Sequence, residues 1–160
     1  MKHVLNISEV EFKTNPAPMP ENVKEKYEGA QMGQIGMVLG SKKMGYNITL
    51  VPAGKRAFPL HNHHRNEEMF YILQGTGEVR IGSETLPIKE GDFICCPPGG
   101  KDLAHQIINT GDKEMRYLAV STKDAPEVCD YPDSGKFGVL DENMRYIGRA
   151  DQSLGYWDGE

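Results

Sequence analysis

At 160 residues the chain can form one domain with a real hydrophobic core but not two ordinary ones. With 38% hydrophobic and 26% charged residues it falls among soluble globular proteins, and a net charge of −5 argues against a nucleic acid or an anionic membrane surface as partner. No stretch is long and apolar enough to span a bilayer, and residues 1–6 hold no apolar core of signal-peptide length, so a cytoplasmic protein is expected.

The first 29 residues form a polar leader with Pro16, Pro18 and Pro20 two apart, which blocks regular helix and implies an extended arm lying on the domain or on a partner subunit. Only 21–28 could make a short turn of helix. From residue 30 to 121 runs of β-forming residues alternate with turn residues, the spacing of an all-β sandwich or barrel. Strands are expected at 34–39, 46–51, 68–73, 78–81, 84–88, 93–96, 105–109 and 115–121. The breaks between them fall at Gly75-Thr76-Gly77, Gly82-Ser83, Glu90-Gly91-Asp92, Pro97-Pro98-Gly99-Gly100 and Thr110-Gly111-Asp112. Residues 122–160, with Pro126, Pro132 and Gly135, read as an irregular extension packed on the domain or a partner. Cys95, Cys96 and Cys129 are an odd number, two of them adjacent, with no CxxC pair. They are expected as free, buried thiols in a reducing compartment.

Four of the five histidines fall in or near two segments, 54–75 and 91–109. His61 and His63 are two apart, so on extended chain both imidazoles point to one face. Glu68 opens the next strand, with Phe70 and Ile72 on its face. A carboxylate in such apolar company is costly unless a cation meets it. His105 opens another strand beside Ile107. Three imidazoles and a carboxylate suit Mn, Fe, Co, Ni or Zn better than Ca or Mg. His64, next in line, is expected to face outward.

These two segments resemble the paired motifs of the cupin superfamily. His61-x-His63, four residues, Glu68, six residues and Gly75 match the first. Gly91, five residues, Pro97-x-Gly99, and then His105, three residues, Asn109 match the second. Six residues rather than five separate Gly54 from His61, and five rather than two separate Gly99 from His105. The second insertion, around Lys101-Asp102-Leu103, lengthens a loop beside the expected site. The resemblance implies a single antiparallel β-barrel or jelly roll holding one divalent transition metal on His61, His63, Glu68 and His105, with water or substrate in the remaining positions. Positions left open are what distinguish a catalytic metal from a structural one.

Among cupins the resemblance implies dioxygenases, decarboxylases of small acids and sugar isomerases. The expected function is a metal-dependent enzyme of dioxygenase or decarboxylase type on a small oxygenated substrate. The alternatives are a non-catalytic small-ligand or sugar-binding protein and a sugar-phosphate isomerase. Strand parity nominates Phe70, Ile72 and Ile107 for the substrate pocket, and Arg56 as a partner for an acidic substrate. An arm beside a sheet edge suggests a homodimer.

Overall fold

The computed structural model describes residues 2–160. The fold is an antiparallel jelly roll. Its first layer is a six-stranded sheet built from β1 (Lys13–Thr14), β2 (Gln31–Gly33), β3 (Met44–Val51), β10 (Met115–Thr122), β5 (Glu68–Gln74) and β8 (Phe93–Cys96), in that spatial order. The opposing layer has two pieces. One is β13 (Arg145–Gly148), β12 (Lys136–Leu140), β11 (Glu127–Tyr131) and β4 (Asn62–His63). The other is β7 (Glu84–Lys89), β6 (Thr76–Ile81) and β9 (His105–Ile108). A single bridge, His61 to His105, joins these pieces. The hydrogen-bond ladders do not close into a cylinder, so the expected barrel is an open sandwich.

Alternation places the core between the layers. Phe70 and Ile72 of β5 face it with Met115, Tyr117 and Ala119 of β10, and Val79, Ile94 and Ile107 complete the cluster. At Gly75 the chain leaves the first layer for the second with φ +93°, a conformation that side chains with a Cβ rarely adopt. Asn109, fully buried, ties the β9–β10 turn down. Its amide donates to the carbonyls of Val51 and Lys113, both at 2.8 Å, and its oxygen accepts from Gly111 N–H at 3.0 Å. Asn109→Ala should therefore cost about 2–4 kcal/mol in denaturant unfolding, because it leaves buried carbonyls unpaired.

Two segments differ from the sequence expectation. Residues 34–39 form a short helix, α2 (Ile35–Leu39), ended by Gly40 in the left-handed region. The edge of β3 is already occupied by β2, which leaves 34–39 no strand to pair with. The chain after Ser121 carries β11, β12 and β13, because β11 finds an edge at β4: Cys129 pairs with His63 and Asp130 with Asn62. The helix expected in the arm is α1 (Glu21–Tyr27). Cys96 and Cys129 are buried as expected, but Cys95 is exposed. Among the described residues no helix is long and apolar enough to cross a membrane.

Candidate metal centre

The His61–His105 bridge is the scaffold of the site. His61 N–H donates to the His105 carbonyl at 3.2 Å, and His105 N–H returns the bond at 2.8 Å. This exchange sets the two imidazoles side by side, with ring centroids 4.7 Å apart. His63 follows on the same face, its ring 5.2 Å from that of His61. Glu68, at the start of β5, points across from the other layer. All three Nε2 atoms converge on its Oε2: His105 at 2.9 Å, His63 at 3.4 Å and His61 at 3.7 Å. The insertion before His105 is absorbed by a 3-10 turn, Lys101–Leu103, that folds back onto Gly82, whose N–H donates to the Ala104 carbonyl at 2.7 Å.

His61 Nδ1 lies 2.9 Å from the Pro59 carbonyl, which can only accept. The neutral ring therefore carries its proton on Nδ1 and turns the Nε2 lone pair toward Glu68. A lone pair aimed at a carboxylate oxygen is repulsive unless a cation lies between them. The donor set passes the same test: His61, His63 and Glu68 offer ligand atoms within 4.8 Å of one another, and His105 joins through Glu68. Phe70 closes the floor, its ring 5.5 Å from His105, and keeps water from below.

Without a metal, Glu68 and His63 favour each other's charged forms. Burial is the strongest single influence on Glu68 and opposes its charge. The imidazoles of His105, His61 and His63, with His105 the nearest at 2.9 Å, nevertheless hold its carboxyl well below the ordinary 4.5. Burial likewise opposes protonation of His63, but hydrogen bonds to Cys129 and Glu68 push its pKa up from 6.5 to about 10. A raised folded pKa contributes stability that is complete below the unfolded value and lost as pH rises through the folded one. The metal-free protein should thus lose stability from about pH 6.5 toward about pH 10, while metal uptake strengthens over that range. Metal binding at pH 7 should release protons, visible as a calorimetric heat that changes with the buffer's ionisation enthalpy.

Glu127 and Cys129, both on β11, lie against the far side of His63. The Glu127 carboxylate accepts backbone N–H bonds from His64 at 3.0 Å, Arg65 at 3.2 Å and Val128 at 2.9 Å on Oε1, and from Asn66 at 2.8 Å on Oε2. The Asn66 side-chain amide also donates to it. This clamp fixes the loop between His63 and Glu68. Cys129 Sγ sits 3.3 Å from His63 Nδ1. His64 faces out, as expected, and its Nε2 meets Asp130 at 2.8 Å.

A cupin family model, described as a cupin domain, matches residues 47–121. An oxalate-binding protein of Thermotoga maritima is 39% identical over 63% of this chain and 84% of its own length. The chain belongs to the cupin family. An uncharacterised protein of Methanocaldococcus jannaschii is 36% identical over 52% of this chain, which spans only 56% of that protein. In three dimensions, a sugar phosphate isomerase of the cupin superfamily from Silicibacter pomeroyi superposes with a TM-score of 0.83, covering 97% of this chain and 98% of its own at 22% identity. The cupin motif residues are the ones that converge on Glu68.

Of the pocket residues nominated from strand parity, Phe70 borders the cluster and the two isoleucines belong to the core. Ile72 and Ile107 are packed in the core below the cupin motifs, and Phe70 is the floor. Arg56 does not reach the site. Its Nη1 lies 3.4 Å from Oε1 of Gln106, whose side chain points away from the His105 face. Closeness to His61 along the chain says nothing about the face, because the intervening turn at Phe58-Pro59 redirects it. A groove of about 940 Å³ is lined by Met32, Thr49, Phe58, Arg145 of β13, and Glu9, Glu11 and Lys13 of the arm, with Lys13 paired to Glu11 at 3.0 Å. Phe58 of its lining has its ring 6.5 Å from His61, and Tyr131 stacks on the same imidazole at 6.3 Å. Arm and tail thus supply the groove's charged groups, Glu9, Glu11, Lys13 and Arg145, and neither carries a local sequence signal for that role.

Proposed function

We propose that this cupin binds one divalent transition metal (Mn, Fe, Co, Ni or Zn) on His61, His63, Glu68 and His105 and acts as an enzyme on a small, oxygen-rich, anionic substrate. The observation that carries this reading is the convergence of three imidazole Nε2 atoms on a single oxygen of Glu68, 2.9–3.7 Å away. A bound metal would supply Lewis acidity toward a substrate carbonyl or hydroxyl oxygen. The chain's own groups do the rest. Phe70 excludes water from below, and the stacked ring of Tyr131 flanks His61.

The groove's volume favours a substrate longer than a two-carbon acid, and isomerisation of a sugar phosphate is the finer reading we adopt. The Silicibacter neighbour supports the fold on which that reading rests; the substrate itself is inferred from the groove. Decarboxylation or oxygenation of a small dicarboxylate is the second reading, favoured by the 39% identity to an oxalate-binding protein. The test is to measure the metal content of the native protein and then incubate the loaded protein in D₂O with aldose and ketose phosphates. Deuterium entering next to the carbonyl, by NMR, supports isomerisation. Carbon dioxide release or oxygen uptake with oxalate supports the second reading, and a protein that takes up no transition metal refutes both. The partner proposal is a homodimer with no nucleic-acid or membrane partner, and a monomeric mass by light scattering would refute the dimer.

A further inference from the structure

We propose that Cys129 is a positioning residue of the metal centre, acting through Nδ1 of His63. Strand β11, which lies outside the segments that carry the ligand motifs, is on this proposal part of the site. The inference rests on the metal-binding reading above.

His63 is held from both ends: its Nε2 faces Glu68 Oε2 at 3.4 Å, and its Nδ1 faces Cys129 Sγ at 3.3 Å. The contact follows from strand register, since Cys129 and His63 are direct partners in the β11–β4 ladder. Cys129 is only 2% exposed, so water cannot take the sulfur's place. Glu127 Oε2 also approaches Nδ1, at 3.7 Å, and His63, Glu127 and Cys129 are close enough together to suggest a second metal site. The five N–H donors already on the Glu127 carboxylate argue against one. They also leave the sulfur as the nearer acceptor for the ring. For Nε2 to offer its lone pair to a metal, the proton must sit on Nδ1, and a buried N–H needs an acceptor. Cys129 Sγ provides that acceptor and fixes the ring's tautomer and tilt.

A positioning role and a packing role make opposite demands on residue 129. Valine fills the space but accepts nothing. Serine accepts but leaves a small void and a buried hydroxyl. The experiment titrates Co²⁺ into wild type, Cys129→Val and Cys129→Ser, following the visible absorption of the bound ion and competing it with a chelator. Metal-free melting of each variant runs beside it. We expect Cys129→Val to bind Co²⁺ about 10- to 100-fold more weakly with shifted absorption bands, and Cys129→Ser to retain near-wild-type affinity although it melts lower. Affinities that follow the melting order instead, or wild-type binding by Cys129→Val, would overturn the proposal. If valine prevents folding, Cys129→Ala serves as the acceptor-free variant. Wild type that fails to bind Co²⁺ would remove the metal-binding reading itself and this inference with it. Wild-type binding with an unaffected valine variant would remove the inference alone.

Discussion

Glu68→Ala is expected to leave the protein without its metal. Every imidazole of the cluster meets Glu68 through the same oxygen, His105 at 2.9 Å, His63 at 3.4 Å and His61 at 3.7 Å. Among the described residues, removing the carboxylate takes away the one anion that faces all three rings, since Glu127 meets His63 alone, at 3.7 Å from Nδ1. Loss of a group that merely supports a ligand commonly costs 10- to 100-fold in metal affinity. Loss of the charged ligand should exceed about 100-fold, equivalent to about 2.7 kcal/mol. Metal analysis should find about one ion per chain in wild type and essentially none in the variant. A second consequence separates this account from simple misfolding. Burial depresses the His63 pKa, and without Glu68 one of the two hydrogen-bonding partners that raise it to about 10 is gone. The stability loss above pH 6.5 expected for the metal-free wild type should therefore shrink in Glu68→Ala. Glu68→Gln, which keeps the shape and an acceptor oxygen, should bind metal better than alanine and worse than wild type. Equal metal content in Glu68→Ala and wild type would place the metal elsewhere.

The convergence of His61, His63, Glu68 and His105 was legible because it depends on local rules. Two histidines two apart share a face on any extended chain, and Glu68 and His105 each open a strand whose apolar alternation is visible in Phe70, Ile72 and Ile107. The strand at 93–96 falls where its alternation puts it. The misreadings share a different cause. Residues 34–39 have strand-like composition but no free edge to pair with, and Gly40 closes them as a helix. Glu127 and Cys129 act only because β11 docks beside β4, a long-range pairing without local trace. Arg56 was nominated by nearness in sequence, whereas Lys13 and Arg145 reach the groove from opposite ends of the chain. Face and periodicity can be inferred from the residues. Which distant segment covers a face depends on the edges the rest of the fold leaves open.

Glu127→Gln should be the most destabilising single-atom change in this region, although it touches neither metal nor substrate. The carboxylate is buried and is surrounded only by donors: four backbone N–H groups, of His64, Arg65, Asn66 and Val128, and the Asn66 amide. A glutamine keeps one acceptor oxygen and turns an NH₂ group toward donors that cannot accept it. At least one buried N–H is left unpaired, two donors face each other, and the charge that strengthened the remaining bonds is lost. About 3–5 kcal/mol should go, which for a chain of this size lowers the melting temperature by roughly 6–20 °C. The loop from His64 to Glu67 would loosen with it. Because that loop joins His63 to Glu68, metal affinity should fall together with stability, in contrast to Cys129→Ser, where stability falls and affinity holds. On the other side of Asn66, the Thr122 hydroxyl and the Asp124 backbone N–H donate to its side-chain Oδ1 at 2.9 and 2.7 Å and are untouched by the change, so the variant should still fold at low temperature. If Glu127→Gln melts like wild type, the loop is held by something other than this carboxylate, and the shared dependence of His63 and Glu68 on β11 fails with it.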